Sequence, residues 1–499
     1  MFKHSQLESV KAWLSHPDHA GLPLHARIQR GIRQLIVDGA IVAGRPLPAS
    51  RVLAVSLGVS RDTVEAAYTQ LHAEGFIARR VGSGSVVAEL GPFRPLRGGA
   101  RHRTRAPVSA LTLSRRGAAL CGAGQVQPHA MPHPFTPGIP ETRSFPLALW
   151  ERLQRQALKD AGSSALLQSD PQGLHALRCA IADHVNLERG ARARPEQVLV
   201  LTSSQQAMAL CANMLLDAGE RIFIEDPVYH GARRAFDAAG LACIAVPVDA
   251  AGLRTACIEA APRGARAVFL TPSHQFPTGA TLSLERRLAL IEWAAREQAW
   301  IIEDDYDSEF HYAGRPTACV QGLDQHGRTL YIGTFTKALF PGLRIGYMVL
   351  PAGLVEPMTA ARTLQDGHTA SIAQLTLARF IQGGHFGAYV RAMRAVYAER
   401  LVVLVDLVRT HLHAYVEPVV PVGGLQMSCL LTCGLEEGRV VAAARAQGIA
   451  LQGLSPLHAG ATLRPGFLLG FAAYTAAEMQ AATLALAAVL QRLHRGRST

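Results

Sequence analysis

The 499-residue sequence predicts an α/β protein of two parts, a small N-terminal head of three helices and a β-hairpin, and a large domain built on a mainly parallel sheet. Three observations carry that prediction. Between residues 20 and 88, three short helical patterns precede a glycine-centred hairpin. From residue 131 to 499, helical patterns alternate with short apolar strands at 198–202, 221–225, 267–271, 299–303 and 329–333, as they do in α/β domains. Between the two, residues 89–130 shift to Pro, Gly, Arg and Ala with little apolar periodicity, the composition of a linker.

Each element of the head follows from its spacing. Ile28, Ile32, Leu35 and Ile36 recur at helical intervals, and Asp38-Gly39 ends the run. After the turn-forming residues 44–48, Ser50 is placed to cap a short helix over 51–57 that stops at Gly58. Ser60 caps the next helix, where Val64, Ala67, Tyr68 and Leu71 form one apolar stripe and leave Arg61 and Thr63 to project outward. Glu74-Gly75 closes it. Residues 76–81 and 85–88 then read as strands about the turn Gly82-Ser83-Gly84. Three helices and such a hairpin make a winged helix-turn-helix.

Composition bounds the rest. With 49% apolar and 18% charged residues the chain is globular and too long for one core. Residues 1–10 lack the apolar block of a secretory signal and no later stretch is apolar for the length of a bilayer, so the protein is expected in the cytoplasm, away from membranes. The eight cysteines are scattered without a CxxC pair, which argues against a disulfide frame or a zinc site; no metal is expected.

The formal charge of +12 is unevenly placed. Residues 1–88 hold ten Lys/Arg against six Asp/Glu, and residues 89–130 hold seven Arg against one Glu, so +10 lies in the first quarter. One-sided basicity suits the neutralisation of phosphates. A helix entering the major groove carries its reading residues at its exposed N-terminal end, where Ser60, Arg61 and Thr63 stand. Arg51 opens the preceding helix, where it can hold a phosphate, and Arg79, Arg80 and Ser83 belong to a wing able to reach the backbone or minor groove. The string LPASRVLA, LGVSRDTV, AY, EG and GSG across residues 47–84 resembles the GntR-type winged helix. That resemblance implies contacts with double-stranded operator DNA from Arg51, Ser60, Arg61 and Thr63. Many proteins of that family carry a further basic residue where this chain has Glu65.

In the large domain, Lys337 follows a strand, is preceded by Thr334 and Thr336, and is followed by Arg344 in a Gly/Pro-rich loop. This set fits an aldehyde that bears a phosphate. Lys337, the candidate catalytic residue, supplies the amine for a Schiff base; Arg344 is expected to help depress its pKa, and Thr334, Thr336 and Arg344 offer donors to the phosphate. Lysine is scarce here, arginine carrying nearly all the positive charge. After another apolar strand comes Glu303-Asp304-Asp305-Tyr306-Asp307, in which Asp304 is expected to pair with a protonated pyridine nitrogen and Tyr306 to hydrogen-bond a phenolic oxygen. The backbone donors of Ser204 and Gln205 open a helix suited to phosphate. Tyr229 offers an aromatic lid, and His274 and Gln275 follow a further strand toward the same crevice. Five such motifs lie at strand C-terminal ends, where open α/β sheets bind ligands.

Together these motifs resemble the fold-type-I aminotransferases, and with the winged helix in front the chain is similar to the MocR/GabR-type regulators from about residue 23 to its last helix. The resemblance implies pyridoxal 5′-phosphate (PLP) as cofactor and a seven-stranded sheet with a smaller C-terminal α/β subdomain. It implies a Schiff base at Lys337, a nitrogen partner at Asp304, an O3′ contact at Tyr306, ring stacking at Tyr229, and phosphate contacts from Ser204, Gln205, Thr334, Thr336 and Arg344. It also implies a homodimer, domain-swapped head to tail. Two departures from the enzymes stand out. Phe276 replaces the Asn that precedes Pro-Thr-Gly, leaving O3′ to Tyr306 or His274. Leu468 stands where an Arg would bind the substrate carboxylate, with Arg464 nearby as a substitute. The expected function is a transcriptional regulator that senses PLP or a small amine or amino acid; losing the carboxylate clamp favours PLP itself. The alternatives are an active aminotransferase with an appended DNA-binding domain, and a sensor that touches only a protein partner.

Overall fold

The computed structural model describes residues 2–15, 21–80, 84–89, 113–114, 116–118, 133–312, 317–460 and 464–496, with the side chains of residues 2–6 and Arg80 outside the description. Nearly all of the expected linker, residues 89–130, and Ser83 also lie outside it. The chain divides into two compact units, residues 1–112 and 113–499.

The head contains α1 (Phe2–Leu14), α2 (Leu24–Val37), α3 (Ser50–Leu57), α4 (Arg61–Ala73), β1 (Ile77–Arg80) and β2 (Gly84–Val87). Ile28, Ile32, Leu53, Val64, Leu71, Ile77 and Val87 close its core, each worth roughly 1.5–3 kcal/mol of burial. Tyr68 joins them and donates its hydroxyl to the Pro48 carbonyl at 2.7 Å. β1 and β2 pair antiparallel, Ile77 opposite Val87. Gly58 ends α3 in the left-handed conformation at φ 67°, which a glycine adopts without steric cost. Two features differ from the sequence reading. Ser50 is the first residue of α3, preceded by Ala49, and makes no capping bond. A further helix, α1, lies ahead of residue 20; its Leu7 and Val10 enter the core, and Arg27 donates to the Leu14 carbonyl at 2.6 Å. Trp13 lies so close to α2 that a Cβ on Gly31 would sit 2.7 Å from its ring.

The large unit is organised by an eight-stranded sheet in the order β3-β10-β9-β8-β7-β4-β5-β6. These are β3 (Val198–Leu201), β4 (Arg221–Asp226), β5 (Ala242–Asp249), β6 (Gly252–Leu253), β7 (Ala265–Leu270), β8 (Trp300–Asp305), β9 (Thr329–Thr334) and β10 (Gly346–Val349). Seven form the expected mainly parallel sheet, β10 running against both neighbours; the eighth, two-residue β6, extends the edge by pairing antiparallel with β5. β3 and β10 are buried along their whole length, as sheets covered on both faces require. Val198, Val200 and Val349 face one apolar core while Leu199, Leu201 and Met348 face the other. The smaller C-terminal part is an antiparallel sheet ordered β11-β12-β14-β13, from β11 (Val416–Val419), β12 (Gln426–Leu431), β13 (Gln452–Gly453) and β14 (Gly466–Gly470). The large-domain motifs singled out above lie at the C-terminal ends of β3, β4, β7, β8 and β9 of this sheet. Among the described residues no helix is long and apolar enough to cross a membrane.

Candidate functional site

On the head, the Ser60 hydroxyl accepts from the Thr63 backbone N–H at 3.2 Å and lies 2.7 Å from the Thr63 hydroxyl, fixing the start of α4. Arg61, just inside that cap, is exposed, as is Arg51 at the start of α3. The buried stripe of Val64, Ala67, Tyr68 and Leu71 holds α4 to the core from behind. Arg79 on β1 donates to the Thr69 hydroxyl at 2.8 Å and lies 3.4 Å from Glu65. Arg80 ends β1 with its side chain outside the description, and Ser83 lies outside the described residues.

In the large unit, β8 ends in two adjacent carboxylates that meet opposite surroundings. Asp305 Oδ2 takes Arg189 Nε at 2.8 Å, Ser308 at 2.8 Å and Tyr331 at 2.6 Å. Burial pushes its carboxyl up, but the Arg189 guanidinium and the hydroxyls of Tyr331, Ser273 and Ser308 outweigh that and hold the pKa down at about 2. Asp304 is buried, and among the described residues its Oδ1, like Asp305 Oδ1, has no hydrogen-bond partner. Burial first, then the charges of Asp305, Asp307 and Glu225, push its pKa up to about 8 against the opposing pull of Lys337. β8 pairs parallel with β9, Asp304 opposite Ile332, so Asp304 stands beside the strand that delivers Lys337.

Thr334 closes β9, accepts from the Thr336 backbone N–H at 3.2 Å, and starts the turn that carries Lys337. The Lys337 amine donates to the Gly138 carbonyl at 2.7 Å. Its pKa is lowered by burial, with Asp307 and Asp304 pulling the other way. This corrects one expectation, since Arg344 is not among the causes. Arg344 is exposed, in left-handed backbone at φ 54°, and makes no ion pair among the described residues. Ser203 caps the helix Ser204–Leu215 by accepting from Gln206 N–H. A Cβ on Gly346 would meet the Ser204 nitrogen at 3.3 Å, so glycine lets β10 lie against that helix start. Gln205 spends its side chain on the Gly231 carbonyl at 2.8 Å.

The rings of Tyr229 and Tyr306 flank Phe276, with centroids 5.6 and 6.3 Å away in edge-to-face arrangements. Phe276, Leu454, Leu457 and fully buried Leu468 make one apolar cluster against those tyrosines. Arg464 does not replace the missing clamp, because it pairs with Glu417 and is 59% exposed. His274, an expected contact, is engaged elsewhere. Its Nδ1 lies 2.9 Å from Asp307, and Gly423 approaches so closely that a Cβ there would fall 2.3 Å from Nε2. Gln275 is consumed by a loop knot, donating to Glu225, Pro227 and Phe276.

Comparison with known proteins fits both units. Residues 24–87 match the bacterial regulatory proteins of the gntR family, and residues 143–485 match aminotransferase class I and II. The probable rhizopine catabolism regulatory protein MocR of Rhizobium meliloti is 36% identical over 456 residues, 91% of each chain. The chain belongs to the MocR-type regulators. Also similar is the pyridoxine biosynthesis transcriptional regulator PdxR of Corynebacterium glutamicum, 30% identical over 91% of this chain and 93% of that protein. Among solved structures, α-aminoadipate aminotransferase LysN of Thermus thermophilus, complexed with N-(5′-phosphopyridoxyl)-L-leucine, is 26% identical with a TM-score of 0.67, over 72% of this chain and 92% of that one.

The cofactor of this MocR-type chain is PLP, and the residues present fit it. A buried carboxylate oxygen without a hydrogen-bond partner among the described residues suits a ring N–H, a lysine amine whose pKa is lowered by burial suits a carbonyl carbon, and a guanidinium with no ion pair among those residues suits a phosphate. The sequence reading missed Glu225 and Asp307. Glu225 accepts both Thr271 donors, at 3.0 and 2.8 Å, and burial pushes its pKa up to about 7 despite bonds from Thr271 and Gln275. The available signal for Glu225 was its place at the end of a buried strand, four residues before Tyr229.

Proposed function

We propose that this PLP-dependent transcriptional regulator senses PLP itself through its large domain and transmits occupancy to operator affinity. One observation carries the reading: Asp304, buried with an oxygen that makes no hydrogen bond among the described residues, lies in the field of Lys337, whose pKa is lowered by burial. When bound, PLP supplies an electrophilic carbonyl carbon on an electron-withdrawing ring. Lys337, whose amine donates to the Gly138 carbonyl, would be the nucleophile that holds it. Asp304 would share a proton with the ring nitrogen, and Tyr229 would cover the ring. Tyr306 takes the O3′ contact, a choice supported by the engagement of His274 with Asp307 and Gly423. The backbone N–H groups of Ser204 and Gln205, the hydroxyls of Thr334 and Thr336, and the Arg344 guanidinium hold the phosphate.

The head binds double-stranded operator DNA through Arg51, Ser60, Arg61 and Thr63, with Arg80 and Ser83 from the wing. PLP as effector, rather than an amino acid, is supported by Leu468 and its apolar neighbours at the carboxylate position and by the engagement of Arg464 with Glu417. A charge-assisted hydrogen bond is worth about 1.5–3 kcal/mol, so an amino acid without its clamp binds weakly. The protein works as a cytoplasmic homodimer, domain-swapped head to tail, two heads reading paired half-sites. PLP changes operator affinity by the ratio of its affinities for the two conformations. Two measurements test this. Mobility of DNA from upstream of the protein's own gene is expected to shift with the protein in a PLP-dependent way; retention indifferent to PLP rejects the sensor. Absorbance of the loaded protein is expected to stay unchanged on adding amino acids, and a saturable change with one of them rejects PLP as the effector.

A further inference from the structure

We infer that Glu65 is a base-reading residue of α4 that accepts a hydrogen bond from the exocyclic amine of a cytosine in the operator, and that Arg79 of the wing holds its carboxylate in position. The inference rests on the DNA-binding reading of the head. Glu65 lies one helical turn beyond Arg61, so the two share a face of α4, and neither belongs to the buried stripe of Val64, Ala67, Tyr68 and Leu71. Thr69 continues that face by another turn. Arg79 crosses from β1, donating to Thr69 at 2.8 Å and approaching Glu65 Oε2 at 3.4 Å. Glu65 Oε1 makes no hydrogen bond among the described residues, and the Glu65 and Arg79 side chains are 38% and 42% exposed.

Stability alone does not explain the pair, because ion pairs this exposed contribute little and Thr69 already anchors Arg79. A carboxylate on a face that meets phosphates is repelled by them. Two cations, Arg61 one turn before and Arg79 across the wing, offset that repulsion and leave one oxygen free. In the major groove the hydrogen donors are the amines of cytosine and adenine. Adenine sets its amine beside the N7 acceptor, whose lone pair opposes a carboxylate, whereas cytosine presents its amine without an adjacent acceptor on the same base. The geometry therefore favours cytosine.

The test is selection of duplexes from a random library by the full-length, PLP-loaded protein, repeated for Glu65→Gln and Arg79→Ala. The parent is expected to select a motif with an invariant cytosine, preferred roughly tenfold or more over other bases at that position. Glu65→Gln should move that position toward adenine, because an amide can pair with the adenine amine and N7 together. The other positions should stay unchanged, showing that the head is folded. Arg79→Ala should weaken the cytosine preference. Identical motifs from the parent and Glu65→Gln overturn the assignment, and an unaltered preference in Arg79→Ala overturns the positioning role. No motif from any form refutes the DNA-binding reading as well.

Discussion

The two functional regions are built on opposite plans. On the head, Arg51 and Arg61 stand in solvent and the structure beneath them is an apolar core plus one serine cap. In the large unit, Asp304 is buried and Lys337 half-buried, and burial is the largest influence on the pKa of each. The first plan presents charge to solvent, as phosphate neutralisation would use it; the second withholds water, which lowers the pKa of one amine and raises that of one carboxyl. Adjacent residues sharpen the lesson. Asp304 and Asp305 differ by one position on β8, yet the first is pushed up to about 8 and the second held at about 2, because Arg189 reaches only the second.

Substitutions that separate the plans should have effects of very different size. Lys337→Ala should abolish covalent attachment of PLP entirely, read as loss of the absorbance band that the parent shows on loading, while the thermal transition of the head is unchanged. Asp305→Ala leaves Arg189 buried without its carboxylate and should destabilise the large unit by about 3–5 kcal/mol in urea unfolding. Asp304→Ala should keep that stability and weaken PLP binding by about 10- to 150-fold, the worth of a charge-assisted hydrogen bond. Equal effects from the two aspartates would break the distinction drawn between them.

The pH dependence follows from the same groups. Asp304, raised to about 8, and Glu225 and Glu303, each raised to about 7 by burial first, bind protons more tightly folded than unfolded. Their contribution to the stability of the PLP-free large unit should fall as pH rises from about 4 to 8. Asp305 acts oppositely, its contribution being complete above about pH 4 and lost as pH falls toward 2. On the proposed pairing of Asp304 with the ring nitrogen, loading with PLP should flatten the first slope, measured by urea unfolding at pH 5 to 8.5. The smallest effect belongs to the head, where Ser60→Ala removes a cap worth about 1 kcal/mol, visible in the head's own transition and silent in PLP absorbance.

These contrasts explain what could be read ahead of the structure. Ser60, Gly58 and the α4 stripe act locally, so spacing alone placed them. That Lys337 and Asp304 stand near each other was legible because both lie at the C-terminal ends of strands, and β8 and β9 are neighbours. Long-range partners were not: nothing near His274 announces that Asp307 takes its Nδ1 and that Gly423 packs against the other side of the ring, and nothing near Arg344 says that burial, not that arginine, lowers Lys337. α1 leaves only a short signal, Leu7, Val10 and Leu14 at helical spacing, and its place in the fold comes from packing on the head's core. The two-residue β6 is too short to leave a pattern.

The most direct measurement is the site of attachment. The chain has four lysines, at positions 3, 11, 159 and 337, so peptide mapping after incubation with PLP and borohydride reduction gives an unambiguous answer. The pyridoxyl label is expected on Lys337 alone. A label on Lys3, Lys11 or Lys159, or none on Lys337, contradicts the account.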